Sequence, residues 1–415
     1  MAIDRKLRIL CFARERFPTH RADVDVLFGR ELVGRGHGID IVMQAERANV
    51  ATGPVPWYGR TAFVGRTCDG DGPVARISRQ VLEILHDIRC LWTLARPAGY
   101  DAVQVRDKFL IAAAAVLICR SRGLDFFFWL SFPFPEADVY NADAGVVRFP
   151  VITRARGRLA GWLLYRWIVP RAKHVFAQSE RMKIAICEKG ALESAVTAVP
   201  MGVDLGEAEG ASVAAGSADG NLVLGYLGTL DANRQLGILI EMLRMLHDHG
   251  VFARLLLIGD AHDPADRRAL EQRAEAAGLR DYVEITGMLP RAVAMLRMRE
   301  AAIGLSPIVP SPIFDVGSPT KLVEYFALGV PVVANAHPEQ REVMRACHGG
   351  VCVPWSARQF ARGVRWLLER PAQERQEMVK RGRDWAVRNR SYRRIADMVE
   401  ARYRQLLNGG AGGRS

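Results

Sequence analysis

The sequence predicts an α/β protein made of two doubly wound parallel-sheet domains in tandem. At 415 residues the chain is too long for one ordinary hydrophobic core. Short apolar strands alternate with amphipathic helices in both halves, the pattern of a parallel sheet covered by helices on both faces. A small, polar and glycine-rich stretch at 206–220 interrupts the alternation, so we place the first domain at 1–203 and the second at 204–390.

The first domain is expected to contain an amphipathic helix at 23–37, where apolar residues lie three to four positions apart. An alanine-rich apolar run at 110–119 is about half of the roughly 20 residues needed to span a bilayer, and we interpret it as a buried helix. The predicted strands of this domain are 7–13, 39–44, 100–107, 124–132, 171–179 and 195–205.

The second domain repeats the alternation, with helices at 235–248 and 264–277, and a last amphipathic helix follows at 391–407. Ligands of open α/β sheets bind beyond the carboxyl ends of the strands, so two such domains facing each other across a cleft suit an enzyme with two substrates. The predicted strands of this domain are 221–228, 253–260, 283–289, 301–307, 331–335 and 349–354.

Composition and charge indicate a globular protein with an anionic partner. About half of the residues are apolar and a quarter are charged. Of the net charge of +12, nine units lie in residues 1–200, which suits an anionic partner such as a membrane surface, a phosphate-bearing lipid or nucleic acid. The alternative is a set of arginine-rich solvated faces. No nucleic-acid recognition module is visible, so nucleic acid is not expected.

The cysteines and the N-terminus predict a cytoplasmic protein. Seven cysteines, an odd number, occur without a Cys-x-x-Cys spacing and mostly within apolar runs, which favours buried free thiols in a reducing compartment. The N-terminal residues lack the apolar segment of a signal peptide. No apolar run approaches the roughly 20 residues of a membrane span, so any membrane association would be peripheral.

The stretch "FDVGSPTKLVEYFALGVPVVAN" at 314–335 has the chemistry of a phosphate site. Gly317, Ser318 and Pro319 let the backbone approach a ligand before a helix begins at Thr320. The free N–H groups of that first turn and the charge of Lys321 would attract a phosphate, and Glu324 could accept hydrogen bonds from a ribose. The alternative is an ordinary helix start, with Ser318 as the cap, Pro319 at the first helical position and Glu324 on a solvated face.

A second candidate is "YLGTLDANRQLG" at 226–237, where a glycine ends the first strand of the second domain. Arg234 lies near the start of the next helix and could meet a diphosphate. The alternative is a helix-start turn with one exposed arginine. The strand-to-loop junctions "LLLIGD" (255–260) and "ITGMLPR" (285–291) are weaker signals of the same kind, since such turns occur in any doubly wound sheet.

In order and spacing, these junctions resemble glycosyltransferase family 4, the retaining enzymes with the GT-B fold. "GSPTKLVEYFALGVPVVAN" is similar to the donor-binding signature of that family, and "FAQSERMK" followed by "VPMGVDL" (199–205) is similar to its crossing between domains. "PEQREVM" (338–344) and the terminal "RSYRRIADMVEARYRQLL" resemble its C-terminal part. The resemblance implies an acceptor-binding first domain, a donor-binding second domain, and a helix at 391–408 that packs back on the first.

The resemblance also assigns individual residues. Glu324 matches the second acid of the family's E-x7-E pattern, which holds the nucleotide ribose. Arg234 matches the basic residue that neutralises the departing phosphate, with the turn glycine Gly228 beneath it, and Met288 matches the loop along the base. The segment that wraps the diphosphate corresponds to Gly317, Ser318, Pro319, Thr320, Lys321 and Leu322.

Three positions depart from the family pattern. Val316 replaces the first acid of E-x7-E, which contacts the donor sugar, and the neighbouring Asp315 is the candidate to substitute for it. Thr229 stands where many members have a phosphate-binding arginine, so the positive charge there rests on Arg234 and Lys321. In the first domain, the loop in which many members carry a histidine contains Ser131 instead.

On the acceptor side the candidates are Glu136 and the turn formed by Arg106, Asp107 and Lys108, all polar groups expected at strand ends. The segment 148–183 holds nine Lys and Arg residues and a single acid, with Trp162 and Trp167 between them. Such a segment could rest on an anionic membrane and would suit a lipid-linked acceptor. Its alternative is a helix packed on the sheet by its apolar face, with arginines in water.

Lys321 and Arg234 are the expected catalytic residues, because preorganised cations and N–H groups stabilise a departing nucleotide diphosphate. No metal-binding Asp-x-Asp is apparent, so neither a metal nor a cofactor is expected. The predicted activity is transfer of a sugar from a UDP- or GDP-sugar to a saccharide or lipid-linked hydroxyl in polysaccharide, lipopolysaccharide or glycolipid assembly. The alternatives are a nucleotide-sugar 2-epimerase and a binding or scaffold subunit without catalysis.

Overall fold

The computed structural model describes residues 6–19, 21–70, 72–207 and 222–408, so most of the predicted linker at 206–220 lies outside the described residues. The chain divides into two compact units. Unit 1 consists of Met1–Met201 together with Tyr392–Ser415, and unit 2 is Gly202–Ser391. The C-terminal helix therefore belongs to unit 1.

Unit 1 is built on an eight-stranded sheet with the order β3-β4-β2-β1-β5-β6-β7-β8. All neighbouring strands are parallel except β3, which pairs antiparallel with β4 at the edge. The strands are β1 (Arg8–Phe17), β2 (Gly38–Ala45), β3 (Gly53–Trp57), β4 (Arg60–Gly65), β5 (Ala102–Arg106), β6 (Asp125–Leu130), β7 (His174–Ala177) and β8 (Val196–Ala198).

The helices of unit 1 lie on both faces of this sheet. The first is a short α-helix that continues as a π-helix over Asp25–Leu32, and the fifth continues as a π-helix over Leu163–Ile168. They are α1 (Ala22–Val24), α2 (Pro73–Leu94), α3 (Phe109–Arg122), α4 (Phe134–Asp143), α5 (Pro150–Trp162) and α6 (Glu180–Glu188). The hairpin β3–β4 and the helix α2 occupy a part of the chain for which the sequence pattern made no prediction.

The C-terminal helix, Tyr392–Asn408, packs on one face of the unit 1 sheet. Tyr392, Ile395 and Val399 join the hydrophobic core formed by β1, β2 and the π-helical segment Asp25–Leu32. At the rim of this contact, Glu400 accepts from Arg35 Nη1 at 2.9 Å and lies 3.0 Å from His37 Nε2.

Unit 2 is a fully parallel six-stranded sheet with the order β11-β10-β9-β12-β13-β14. Its strands are β9 (Leu222–Leu227), β10 (Ala253–Ile258), β11 (Val283–Ile285), β12 (Ile303–Ser306), β13 (Val332–Asn335) and β14 (Gly350–Val353). Its helices are α7 (Gly237–Asp248), α8 (Pro264–Ala276), α9 (Arg291–Met298), α10 (Thr320–Ala327), α11 (Pro338–Cys347), α12 (Ala357–Leu368) and α13 (Ala372–Arg390), and the C-terminal helix is α14.

The strand order of unit 2 reverses at β9, which pairs with β10 on one side and β12 on the other. In doubly wound sheets such a reversal opens a crevice at the carboxyl ends of the two strands, and this crevice is the usual ligand site. The turn after β9 and the loop that joins β12 to α10 therefore meet where a ligand is expected.

Every predicted strand is present, and most are shorter than predicted at their carboxyl ends. The apolar run 110–119 is a helix as expected, but α3 is only partly buried, since Leu110 and Leu117 are exposed. The seven cysteines are free thiols; Cys68, Cys187 and Cys352 are partly exposed, and the other four are buried. None of the helices in the described ranges is both long and apolar enough to cross a membrane.

Candidate functional site

The turn after β9 brings a lysine against a glycine. Gly228 has a φ of +151°, and a Cβ atom there would lie 2.7 Å from Lys321 Cε and 3.0 Å from Lys321 Nζ. Across the turn, a Cβ on Gly259 would lie only 2.1 Å from the carbonyl oxygen of Gly228. Glycine at 228 therefore leaves room for the Lys321 side chain at the carboxyl end of β9, and glycine at 259 leaves room for the backbone of the turn that follows β9.

Lys321 is the second residue of α10, and its ammonium group lies 5.4 Å from the ring centre of Tyr226. Burial, and then the positive charge of Arg234, lower the pKa of Lys321 to about 8, while Glu324 opposes this shift. A desolvated cation held near a second cation is stabilised when an anion binds between them.

Arg234 ends a short 3-10 turn, Ala232–Arg234, that follows the glycine turn. Its Nε donates to Thr229 Oγ1 over 3.4 Å, and its guanidinium carbon lies 5.4 Å from the ring centre of Phe314. Thr229, which replaces a family arginine, thus contacts the guanidinium of Arg234. The structure places both predicted catalytic cations at the same end of the sheet.

The loop between β12 and α10 is held by side chains of the next strand and helix. Asn335 accepts from the Ile308 N–H at 2.7 Å and donates to the Ile308 carbonyl at 2.8 Å. The Phe314 carbonyl lies 2.9 Å from His337 Nε2, and the Gly317 N–H donates to that carbonyl at 2.9 Å. These bonds fix the backbone that carries Asp315 and Val316.

Ser318 is held by a buried acid that sequence reasoning missed. Its hydroxyl donates to Glu339 Oε1 at 2.7 Å, and the same carboxylate pairs with Arg390 Nη1 at 2.8 Å. Burial raises the pKa of Glu339 above its usual value, although Arg390 and Ser318 oppose this. In the sequence, Glu339 was recognisable only as an acid in the first turn of a helix that follows a buried strand, which does not indicate a contact with Ser318.

Ser318 is therefore not a helix cap, contrary to the alternative considered for the sequence. The N-cap of α10 is Pro319, whose own side chain makes no capping hydrogen bond, and the helix begins at Thr320. The first-turn N–H groups of an α-helix have no partner within the helix and carry its positive dipole end. The Leu322 side chain is buried in the core, so this residue can offer a ligand only its backbone.

Glu324 is buried, which excludes the alternative of a solvated helix face. Its Oε1 accepts from Arg291 Nη2 at 2.8 Å. Arg291 begins α9, after the loop that carries the exposed Met288. The predicted ribose acid thus has a basic partner from the start of α9, and this partner was visible in the sequence only as the last residue of "ITGMLPR".

The acceptor-side candidates of unit 1 fall into two groups. At the carboxyl end of β5, Arg106 is buried and pairs with Glu15 Oε1 at 3.1 Å and with Asp23. Asp107 has a φ of +56° and accepts from the Ser131 N–H at 2.8 Å and from the Ser131 hydroxyl. Burial raises the pKa of Asp107 to about 6, although Arg106 opposes the shift.

The structure separates Glu136 from this group. It lies in the first turn of α4 rather than at a strand end. Its Oε1 accepts from the Tyr165 hydroxyl at 2.7 Å and from Lys189 Nζ at 2.8 Å. Ser131, Asp107 and Arg106 therefore form one cluster, and Glu136 is engaged elsewhere in unit 1. Among the described residues, no group of three or more His, Cys, Asp or Glu side chains could hold a metal ion.

Two family models match the chain. Residues 26–207 match the model described as Glycosyltransferase Family 4, and residues 221–370 match the one described as Glycosyl transferases group 1. The chain belongs to glycosyltransferase family 4. This is a family of transferase enzymes, and the recognition from the sequence motifs is confirmed.

The curated relatives include a glycosyltransferase named for colanic acid biosynthesis and a glucosyltransferase named for 2-deoxystreptamine. The "Putative colanic acid biosynthesis glycosyltransferase WcaL" of Escherichia coli is 31% identical over 157 residues, which cover 37% of this chain and 38% of WcaL. The 2-deoxystreptamine glucosyltransferase of Streptomyces kanamyceticus is 25% identical over 252 residues, covering 58% of this chain and 63% of that enzyme. The chain thus matches less than two thirds of the length of either relative.

Solved structures match over nearly the whole chain. HepE from Anabaena in complex with UDP gives a TM-score of 0.68 at 15% identity, covering 96% of this chain and 99% of HepE. At this identity the likeness concerns the fold alone. It confirms the GT-B fold class predicted from the sequence.

Proposed function

We propose that the protein is a retaining glycosyltransferase that uses a UDP- or GDP-sugar as donor and a saccharide or lipid-linked hydroxyl as acceptor, in polysaccharide, lipopolysaccharide or glycolipid assembly. The observation that carries this proposal is the meeting of Lys321, Arg234 and the N-terminus of α10 at the strand-order reversal of unit 2. Two cations and a helix dipole at one point match the charge of a diphosphate.

In the proposed reaction, the bond between the anomeric carbon of the donor sugar and the diphosphate oxygen breaks. The acceptor oxygen forms a bond to the same face of that carbon, and its proton passes to the departing phosphate. Lys321 and Arg234 stabilise the negative charge that develops on the leaving group, since groups fixed in advance need no reorganisation. These two cations and the N–H groups of α10 would supply the counter-charge of the diphosphate.

The ribose would be held by Glu324. Arg291 contributes a positive charge 2.8 Å from this carboxylate and leaves one of its oxygens for a diol. Gly317, Ser318 and Thr320 would follow the diphosphate, with Ser318 fixed by Glu339, and Met288 would lie along the base. Val316 and Asp315 would face the donor sugar, where an apolar side chain replaces the family's acid.

The names of similar proteins support a nucleotide-diphosphate sugar as the donor and polysaccharide assembly as the pathway. HepE was crystallised with UDP and with UDP-glucose, which supports a nucleotide-diphosphate sugar as donor here. WcaL is named for colanic acid biosynthesis, which supports a role in polysaccharide assembly.

For the acceptor we propose the cluster of Arg106, Asp107 and Ser131, because it lies at the carboxyl end of β5 in unit 1. We also propose that unit 1 rests on the cytoplasmic face of a membrane. The segment 148–183 supports this, since Val151, Ile152 and Trp162 are exposed among its basic residues.

The test is to incubate the protein with candidate UDP- and GDP-sugars, with and without acceptors, and to measure the nucleotide released. Release that depends on an acceptor supports the transferase. Conversion of the donor to an epimer without an acceptor would favour a 2-epimerase. Nucleotide binding without release under any acceptor condition would favour a scaffold subunit, the alternative that the loss of the acid at Val316 keeps open.

A further inference from the structure

Helix α2 of unit 1 is amphipathic, and its polar side faces the protein. Glu83 and Asp87 both pair with the buried Lys108, with Nζ–O distances of 3.1 Å and 2.6 Å. Asp87 is 1% exposed, and one turn further along, Cys90 is buried beside it. The interior contact of this 22-residue helix thus combines these ion pairs with the buried Cys90 and Leu91, and the charged groups of the helix lie inside, the reverse of the usual arrangement of a surface helix.

The apolar side of α2 faces solvent. Its members recur at spacings of three and four residues, so they form one stripe along the helix. Their exposed fractions run from 36% to 77%. They are Val74, Ile77, Val81, Ile84, Leu85, Ile88 and Trp92. At about 1.5 Å per residue the stripe is roughly 30 Å long. An ordinary protein surface exposes apolar residues singly, and a continuous stripe of this length is typical of an interaction surface.

Helix α3 packs beside α2 and extends this surface. Leu110 and Leu117, which are seven residues apart and therefore on the same side of α3, are 61% and 57% exposed. The two helices are joined by Arg122, which donates to the Trp92 carbonyl at 2.8 Å and lies 4.9 Å from the centre of the Trp92 ring. We name the exposed apolar residues of the two helices the α2–α3 face.

The charges around the α2–α3 face are basic. Glu83 and Asp87 are the only acids in the sequences of α2 and α3, and both are directed at Lys108. Arg76, Arg89 and Arg120 are exposed, and within the described part of the chain none of them forms an ion pair. A long apolar stripe with arginines and a tryptophan at its edge matches the boundary between lipid headgroups and acyl chains.

We propose that the α2–α3 face binds the surface of a membrane containing anionic phospholipid. The apolar stripe enters the headgroup region, and the arginines meet the lipid phosphates. Charge favours this partner over a second copy of the chain. A symmetric dimer through this face would bring its arginines together, and the two acids of α2 and α3 are already paired with Lys108. The proposal rests on, and deepens, the proposed membrane association by assigning the main contact to α2 and α3 and a weaker one to segment 148–183.

The position of α2 connects this face to the proposed acceptor site. Its partner Lys108 directly follows Asp107, so the middle of α2 is attached at the carboxyl end of β5. A membrane bound to the α2–α3 face would therefore lie on the outer side of a helix whose inner side contacts the residue next to the cluster of Arg106, Asp107 and Ser131. A lipid-linked acceptor could reach that cluster without leaving the membrane.

The experiment is sedimentation of the full chain with vesicles of phosphatidylcholine, with and without phosphatidylglycerol, in the absence of any nucleotide sugar. The variant I77Q/L85Q changes two side chains that are each 62% exposed, so the fold should be retained. We expect binding to the anionic vesicles that weakens with salt, and a loss of at least about tenfold in the partition coefficient for this variant.

Two controls are matched to this variant. L159Q/W162Q changes two residues of α5 that are 67% and 58% exposed, and L192Q changes a 73% exposed leucine of unit 1 outside both surfaces. We expect a smaller loss for the first and none for the second. For charge, R89Q should weaken binding to anionic vesicles more than R358Q, which removes an exposed arginine from α12 of unit 2.

Three outcomes would overturn the inference. Binding lost in L159Q/W162Q but kept in I77Q/L85Q would assign the membrane surface to α5. A dimer of the wild-type chain that I77Q/L85Q converts to a monomer, with vesicle binding unchanged, would assign the α2–α3 face to a second copy. No binding to any vesicle would remove the membrane association, while acceptor-dependent nucleotide release measured in parallel would leave the proposed transferase standing.

Discussion

The carboxyl edges of the two sheets carry similar charged residues in opposite electrostatic states. In unit 1, Arg106 pairs with Glu15 and Asp23, and Lys108 pairs with Glu83 and Asp87. In unit 2, neither Lys321 nor Arg234 forms an ion pair with any described residue, and the N-terminus of α10 adds to their field. The cations at the edge of unit 1 are neutralised by carboxylates of the protein. The cations at the edge of unit 2 would be neutralised by a bound anion.

This difference supports the proposed assignment of the donor phosphates to unit 2. Buried cations that have carboxylate partners stabilise a local structure and hold little free charge for a ligand. Arg234 repels Lys321, and the nearby Glu324 opposes this effect on the pKa of Lys321 without reversing it, so a diphosphate would relieve the remaining repulsion. The donor site is therefore expected in unit 2, and the uncharged part of the reaction, the acceptor hydroxyl, in unit 1.

The largest effect is expected for K321A. Loss of this cation should lower kcat by about 100- to 1000-fold, or roughly 3–4 kcal/mol of barrier, because its charge acts mainly on the leaving group. The matched control is K380A, which removes an exposed lysine from α13. The rate of acceptor-dependent nucleotide release is measured for both variants. Equal rates would contradict the conclusion that the edge of unit 2, and not that of unit 1, binds the diphosphate.

A smaller effect is expected for E324Q. The amide cannot accept from a ribose diol as a carboxylate does, and it also weakens the contact with Arg291. Nucleotide affinity should fall by about 2 kcal/mol, roughly thirtyfold, in calorimetry. The exposed Glu241 of α7 supplies the control E241Q, which should bind as wild type. An unchanged affinity of E324Q would undo the assignment of this residue to the ribose.

On the unit 1 edge, D107N should act on the acceptor alone. Asparagine tolerates the positive φ of this position, so the backbone can be kept while the charge is removed. We expect KM for the acceptor to rise by about tenfold, in line with the loss of one charged hydrogen bond. The Kd for the nucleotide should not change, and a weakened nucleotide affinity would contradict the division of donor and acceptor between the two edges.

The smallest predicted effect is a shift in a pH profile. The pKa of Lys321 is lowered to about 8 by burial and then by Arg234, so its charge is lost as pH rises through that value. The kcat/KM of the free enzyme should therefore decline above about pH 8. R234Q removes the repelling charge and raises the pKa of Lys321, so its decline should begin at higher pH despite a lower overall rate. The exposed arginine variant R244Q should keep the wild-type profile.

The sequence predicted the local parts of the candidate site and missed the contacts between distant residues. The glycine turn is encoded within 226–237, and the start of α10 with Lys321 within 314–335, so each pattern was visible in neighbouring residues. The partners of the site's side chains come from other helices. Glu339, which holds Ser318, lies 21 residues from it in the sequence, and Arg291, which holds Glu324, lies 33 residues from it. Nothing in a single sequence links residues at such separations, because they meet only through the fold.

Helix α2 shows a different limit of sequence reasoning. Its periodicity can reveal two faces, but not which face lies inside, since apolar stripes are ordinarily assigned to the core. Only the ion pairs of Glu83 and Asp87 with Lys108 show that the polar face is inward. The tryptophans and arginines of segment 148–183 indicate a membrane surface from composition alone. Helix α2 has a mixed composition, which gives no such indication.

Unit 1 is assembled from both ends of the chain, and this has a consequence for the order of events during synthesis. Unit 2 is one continuous segment, so all its contacts are available once residue 391 has left the ribosome. The core of unit 1 includes α14, in which Tyr403 donates to Gln104, a partner 299 residues earlier. The N-terminal part must therefore wait for the last helix, with its apolar face open, and is expected to need protection by chaperones longer than the segment made after it.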